Sequence, residues 1–180
     1  MMKNGGSFLY YENDNYQAIE LPFDDNIFSM FIVLPKNDIC INNLTIDSTL
    51  INEFDEMSKT RAGRIHLPKF IIHFEAAYNK ILSGLGMEIA FDVNRANLTE
   101  MAIFNPGNNF YVEDVMQNTY LEVNEEGVEA SAATVYHIRA GSAPPPDPFT
   151  MIVNKPFLLA IRDVRNGLML FMGAIYNPME

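Results

Sequence analysis

Few residues of this chain are of types that do chemistry, and none is spaced for catalysis. Cys40 lies between Ile39 and Ile41 with no cationic neighbour to lower its pKa. A nucleophile needs its base within reach, and the sequence has no G-x-S-x-G elbow. His66 and His73 stand an odd number apart in one expected strand. They therefore face opposite sides and cannot share a metal. His137 falls in a segment of mixed loop and strand character. No zinc, P-loop or dinucleotide signature occurs, so the sequence implies no catalytic residue, metal or cofactor.

The unusual stretch is 125–148, which reads E-E-G-V-E-A-S-A-A-T-V-Y-H-I-R-A-G-S-A-P-P-P-D-P. Two acids and a glycine lead into Ala130, Ser131, Ala132 and Ala133, and no proline occurs between Glu125 and Ala143. A solvated loop tip is polar and rich in turn residues. Here Val128, Ala130, Ala132, Thr134, Tyr136 and Ile138 alternate onto one face. Glu129, Ser131, Ala133, Val135, His137 and Arg139 take the other. Glu125-Glu126-Gly127 alone would read as a strand end and turn. The run of small residues counts against that, because a strand entering a packed sheet needs them and a solvated loop does not. Gly127 supplies a backbone pivot. Val128 is the first side chain that insertion would bury, and a charge there would oppose it. The stretch can be a loop in one state and a strand in another.

In these residues the chain resembles the hinge and reactive-centre loop of a serpin. The resemblance runs in family order over nearly the whole chain. It includes Glu20-Leu21-Pro22-Phe23, Ser29-Met30, Leu34-Pro35, Leu67-Pro68-Lys69-Phe70 and Tyr120-Leu121-Glu122-Val123-Asn124. It continues through Asn154-Lys155-Pro156-Phe157-Leu158, Ile161-Arg162-Asp163, Leu170-Phe171-Met172-Gly173 and Asn177-Pro178. It implies an α+β, serpin-like fold, C-terminal portion only, with antiparallel sheets, few helices and an exposed reactive-centre loop. The N-terminal helical half is expected to be absent. Residues 1–180 then form a partial serpin domain: a second-sheet meander (1–35), a strand-helix-strand region (64–124), hinge and loop (125–149) and C-terminal strands (150–180).

The same resemblance implies protease inhibition. A target serine protease attacks the loop, and after the acyl-enzyme forms the loop inserts into the large sheet and distorts the protease. The hinge would be Glu125, Glu126, Gly127, Val128, Glu129, Ala130, Ser131, Ala132, Ala133 and Thr134. The family register places the reactive bond at Gly141–Ser142. Arg139–Ala140 is the chemical alternative, since Arg suits a trypsin-like pocket ending in a carboxylate, and it requires a shorter hinge. Both bonds stay open, as does a cysteine protease as target. Pro144-Pro145-Pro146 give a stiff exit. Two positions depart from the family: Val128 where Thr or Ser is common, and Gln117 where a histidine often marks the point of sheet opening. Without an N-terminal half, a strand that the loop must pair with is missing. The isolated chain is therefore expected to self-associate rather than inhibit. A carrier, chaperone or storage serpin, or a truncated product without inhibitory activity, is the alternative. Non-inhibitory hinges typically carry bulky or charged residues, which this one lacks on the face of Val128, Ala130, Ala132 and Thr134.

Composition sets the outer bounds. The 180 residues suit one domain, and 48% hydrophobic content is that of a globular chain. A net charge of −11 argues against nucleic acid and anionic membranes as partners. One cysteine permits no intrachain disulfide. The N-terminus lacks a signal-peptide core, and no apolar run approaches the roughly 18 residues of a membrane span. The resemblance suggests an extracellular, secreted parent, with the cytoplasm as the other location. Asn43-Leu44-Thr45 and Asn97-Leu98-Thr99 are glycosylation sequons, which favour secretion weakly.

Strands are expected at 7–11, 16–23 and 28–34, forming the meander. Helices are expected at 44–58 and 78–91, the second weakened by Gly84 and Gly86, which suggest close packing. Further strands are expected at 64–74, 110–124 and 150–153, with 157–163 and 168–175 paired across Asn166-Gly167.

Overall fold

The structure, a computed structural model, describes residues 1–23, 26–36, 39–99, 101, 110–124 and 147–177. It divides into two compact units, residues 1–70 with 122–180, and residues 71–121.

The first unit is built on a seven-stranded sheet. Its strands are β1 (Met2–Glu12), β2 (Tyr16–Pro22), β3 (Phe28–Pro35), β4 (Lys59–Leu67), β7 (Phe149–Ile152), β8 (Phe157–Asp163) and β9 (Met169–Ile175). The order is β7-β4-β1-β2-β3-β8-β9. Every pairing is antiparallel except β4 with β7, which is parallel. The strand expected at 7–11 begins earlier, because residues 2–6 pair with 63–67 of β4 and Gly5 and Gly6 do not interrupt the pairing. The apolar runs of β3 and β8 are central, with β8 buried at every position. A strand between two neighbours with both faces covered needs no polar alternation.

One face is covered by α1 (Ser48–Met57). The helix starts later than the expected Leu44, because Asp47 is extended and its side chain accepts from the Leu50 N–H at 2.9 Å as N-cap. Leu50 and Phe54, one turn apart, join Tyr16 and Ala18 of β2, Phe31 and Val33 of β3, and Leu158 and Ala160 of β8 in one core cluster. Glu53, on the same helix, accepts from the hydroxyls of Tyr11 and Tyr16, each at 2.7 Å. Burial first, and then the Glu53 carboxylate, push the Tyr16 pKa far above its ordinary value.

Beside that core is an ion cluster, a buried Arg162–Glu20 pair with the exposed Asp55 at its rim. Arg162 of β8 donates two bonds to Glu20 of β2, at 2.8 and 2.9 Å, and two to Asp55 of α1, at 2.9 and 3.2 Å. Its guanidinium lies 5.8 Å from the Phe31 ring centre and 6.0 Å from that of Phe54. The Ser29 hydroxyl donates to Glu20.

The second unit contains most of β5 (Phe70–Ala77) and β6 (Met116–Val123), which pair as a two-stranded sheet. Three sequence expectations fail around it. The single strand expected at 64–74 is two strands, β4 and β5, divided at Pro68-Lys69, since proline has no N–H to continue a ladder. His66 and His73 accordingly lie on different strands. The strand expected at 110–124 begins only at Met116. The helix expected at 78–91 is α2 (Asn79–Leu82), a π turn over Ser83–Met87 and a 3-10 turn over Glu88–Phe91. Gly86, with φ of 103°, is the break. Neither Gly84 nor Gly86 packs closely: a Cβ on either would meet nothing within 4 Å. Asn79 instead ties this region together: its Oδ1 accepts from the Val115 N–H at 2.8 Å, and its Nδ2 donates to the Glu113 carbonyl at 2.7 Å.

Removing Arg162 should leave Glu20 buried and uncompensated. Arg162→Met is expected to cost about 3–5 kcal/mol. Arg162→Met combined with Glu20→Leu should recover most of that loss, because both charges then leave together. Urea unfolding of the two variants checks this. Equal destabilisation by the single and the double change would refute the assignment.

Candidate functional site

Residues 125–146, which carry the expected hinge and both expected reactive bonds, Arg139–Ala140 and Gly141–Ser142, lie outside the described residues. The described chain supplies the two ends of that segment. On the N-terminal side, β6 ends at Val123, which is buried, and the Asn124 amide donates to Glu122 at 2.9 Å. Gln117 sits on the same strand, exposed, with its amide donating to the Thr119 hydroxyl at 3.3 Å.

The C-terminal end is anchored in more detail. Asp147 has φ of 54°, in the left-handed region that Asp tolerates better than most residues. Arg61 of β4 holds it by two bonds, Nη2 to Oδ2 at 2.6 Å and Nε to the backbone carbonyl at 2.9 Å. The remaining arm, Nη1, donates to Glu12 of β1 at 3.0 Å, and Lys36 donates to the other oxygen of Glu12 at 2.9 Å. Burial alone would raise the Glu12 pKa, but its bonds from Lys36, Arg61 and Tyr10 outweigh that and hold it below the ordinary carboxylate value.

Below this polar layer is an aromatic one. Phe149, the first residue of β7, stacks on Tyr10 with centroids 4.0 Å apart and planes 9° apart, and meets Phe8 edge-on at 6.2 Å. Arg61 lies over the Tyr10 ring at 5.4 Å. Gln17 links the two layers, donating to the Tyr10 hydroxyl at 2.7 Å and to the Thr150 carbonyl at 3.3 Å. The Phe149 ring fills the space above Gly63, where a Cβ would lie 2.2 Å from its nearest carbon. Glycine is required here by close approach, not by backbone conformation. The β7 strand then pairs with Gly63, Arg64, Ile65 and His66.

The other residues singled out from sequence are scattered. Cys40 is exposed. The backbone carbonyl of His66 accepts from Val153 N at 2.9 Å, and His73 meets Tyr120 edge-on at 4.9 Å. Among the described residues no group of three His, Cys, Asp or Glu could hold a metal. Asn43 and Asn97 are both exposed, and the Asn97 side-chain oxygen accepts from the Thr99 hydroxyl at 2.7 Å and the Thr99 N–H at 3.2 Å. No helix among the described residues is long and apolar enough to cross a membrane. Sequence reading missed the Arg61–Asp147 contact. Its one available signal was an Asp between prolines just after the triproline.

The chain is similar in sequence and fold to known proteins. A profile of the serpin (serine protease inhibitor) family matches residues 1–178. Serpin-ZX of Hordeum vulgare is 34% identical over 175 residues, 92% of this chain and 44% of the barley protein. Antithrombin-III of Ovis aries is 33% identical over 182 residues, covering 99% and 38%. The structure of native protease nexin-1 with heparin superposes with a TM-score of 0.81 at 26% identity, over 98% of this chain and 46% of that one. The chain belongs to the serpin family, and it spans less than half the length of these relatives.

Gly63→Ala should displace the Phe149 ring from Tyr10. The expected loss is about 1–3 kcal/mol, the range for overpacking a filled site. Thermal melting measures it. An unchanged melt would show that the ring has room to move.

Proposed function

We propose that this chain is the loop-bearing part of a serpin-type suicide inhibitor of a serine protease, a protease inhibitor rather than an enzyme. The observation that carries the reading is the run Gly127-Val128-Glu129-Ala130-Ser131-Ala132-Ala133-Thr134 directly after β6, in a chain of the serpin family. Small and uncharged side chains at alternate positions are what a strand needs to enter a sheet. In a serpin of full length, a protease cleaves at Gly141–Ser142 or Arg139–Ala140, and the acylated segment inserts from Gly127 onward. Arg139 would select a trypsin-like protease. Asn43 and Asn97 are exposed, as glycan acceptors must be, which supports a secreted protein.

The 180 residues alone do not complete that cycle. In the unit 71–121, Ala96 is the sole buried apolar residue among those described, while Ile71, Phe74, Ile81, Leu85, Met116 and Tyr120 are exposed. In the other unit β9 is one of the two edge strands, and Leu170, Phe171 and Met172 on it are exposed. An apolar edge strand recruits further chain. The isolated chain therefore self-associates and is cleaved by proteases without trapping them.

Incubation with trypsin and with elastase, followed by denaturing electrophoresis, tests the inhibitor reading. A serpin-length protein carrying this region should give a covalent complex, and clean cleavage without complex would favour a carrier or storage serpin. Val128→Arg should turn that inhibitor into a substrate, since insertion would bury an unpaired charge at a cost of several kcal/mol. An unchanged stoichiometry of inhibition would end the insertion reading. Sedimentation of the 180-residue chain tests the second statement: oligomers are expected, and a monomer with a sharp cooperative melt would contradict it.

A further inference from the structure

The seven-stranded sheet has two edges of unequal character. β7 is four residues long, and Arg61 and Asp147 form an ion pair at its start. Charge beside a short edge strand discourages further pairing. β9, at the other edge, is Met169-Leu170-Phe171-Met172-Gly173-Ala174-Ile175, without a charged, hydroxyl or amide side chain. The chain carries a net charge of −11, and none of it lies on this strand. The strands of the smaller sheet differ in this respect: β5 carries Glu75 and β6 carries Glu122. Phe171 and Met172 are 43% and 58% exposed, so the strand offers apolar surface on both faces. Its regular pairing with β8 runs from Phe171 to Ile175, beyond the irregularity at Ile161/Arg162, and its outer edge has no neighbour among the described strands.

We propose that this edge binds a second copy of the chain, β9 to β9, antiparallel about a twofold axis at Met172. The proposal rests on the self-association stated above and assigns it a surface and a register. A twofold axis pairs a strand with its own sequence. With the axis at Met172, Phe171 of each copy lies opposite Gly173 of the other, on the same face of the joined sheet. The two residues fit. A Cβ on Gly173 would meet nothing within 4 Å, so the single chain leaves this space open. An aromatic ring across from an edge glycine covers such a space, and the symmetry makes the fit twice. Met172 faces its own mate, and its unbranched side chain adapts to that contact. A strand carrying an acid brings like charges toward each other when it pairs with its own copy. β5 and β6 would do so, and β9 does not. The pairing also gives the outward N–H and C=O groups of both edges protein partners.

The test uses the 180-residue chain with Cys40→Ser as background. Met172→Cys under mild oxidation should give a covalent dimer, because position 172 meets its own mate at the axis. Ile152→Cys, at an exposed position on β7, should give little. Sedimentation equilibrium follows the association itself. Met172→Lys puts two like charges together at the axis and should raise the dissociation constant about tenfold or more. Gly173→Val fills the space that the second copy's Phe171 takes, and should raise it about threefold to tenfold. Both positions are open in the single chain, so the far-UV circular dichroism of either variant should match that of the parent. The cross-linking comparison reads the contact independently of either variant's fold. Oligomers that persist unchanged in both variants, with no cross-link at 172, would overturn the β9 contact and leave self-association standing. Equal cross-linking at 172 and 152 would overturn it as well. A parent chain that sediments as a monomer would remove the self-association reading and the contact with it.

Discussion

The contact on which the rest of the larger unit depends is the four-bond grip of Arg162 on Glu20 and Asp55. It joins three elements that are far apart in the chain, β2, α1 and β8, and Glu20 and Arg162 are 142 positions apart. A buried ion pair contributes little net stability compared with a well-packed apolar replacement. What it supplies is register. The guanidinium bonds both carboxylates and lies against the Phe31–Phe54 edge-on pair, which sets α1 over β2, β3 and β8. The apolar cluster supplies the driving force, and the ions select among its packings.

The two units differ in how far they meet the requirements of a core. In the larger one, Tyr16, Phe31, Val33, Leu50, Phe54 and Leu158 close on one another with little exposure. In the unit 71–121 the apolar residues of β5, of the broken helical stretch and of β6 face outward. A unit of that kind holds its shape by backbone pairing and by polar ties such as those of Asn79 to Glu113 and Val115. Its surface is that of an interior face, in keeping with a chain that matches less than half the length of its serpin relatives.

Much of this could be read from the residues. The strands expected at 16–23, 28–34 and 157–163 and the Asn166-Gly167 turn identified the central strands, although the burial of Glu20, Arg162 and Asp163 does not follow from an apolar pattern. The serpin motifs identified the family. The failures came where one local feature outweighed periodicity. Pro68 divided a strand that looked continuous, Asp47 capped α1 later than its apolar spacing suggested, and Gly86 broke a helix whose spacing was otherwise good. The Arg61 anchor was not legible, since Glu12, Arg61 and Asp147 converge only through the pairing of β1 with β4 and β4 with β7.

The position of β8 has a further consequence for the time course of synthesis. β3, near the middle of the sheet, pairs on one side with β2, made immediately before it, and on the other with β8, made long after it. Until β8 has been made, one flank of β3 lacks its strand partner, Glu20 and Asp55 lack Arg162, and α1 is held only by its contacts with β1, β2 and β3. A nascent chain of this kind cannot fold as it emerges, since the contacts that close its core are also those of greatest sequence separation. Closure of this core therefore waits for β8, and the apolar strands made before it must be kept from one another until then.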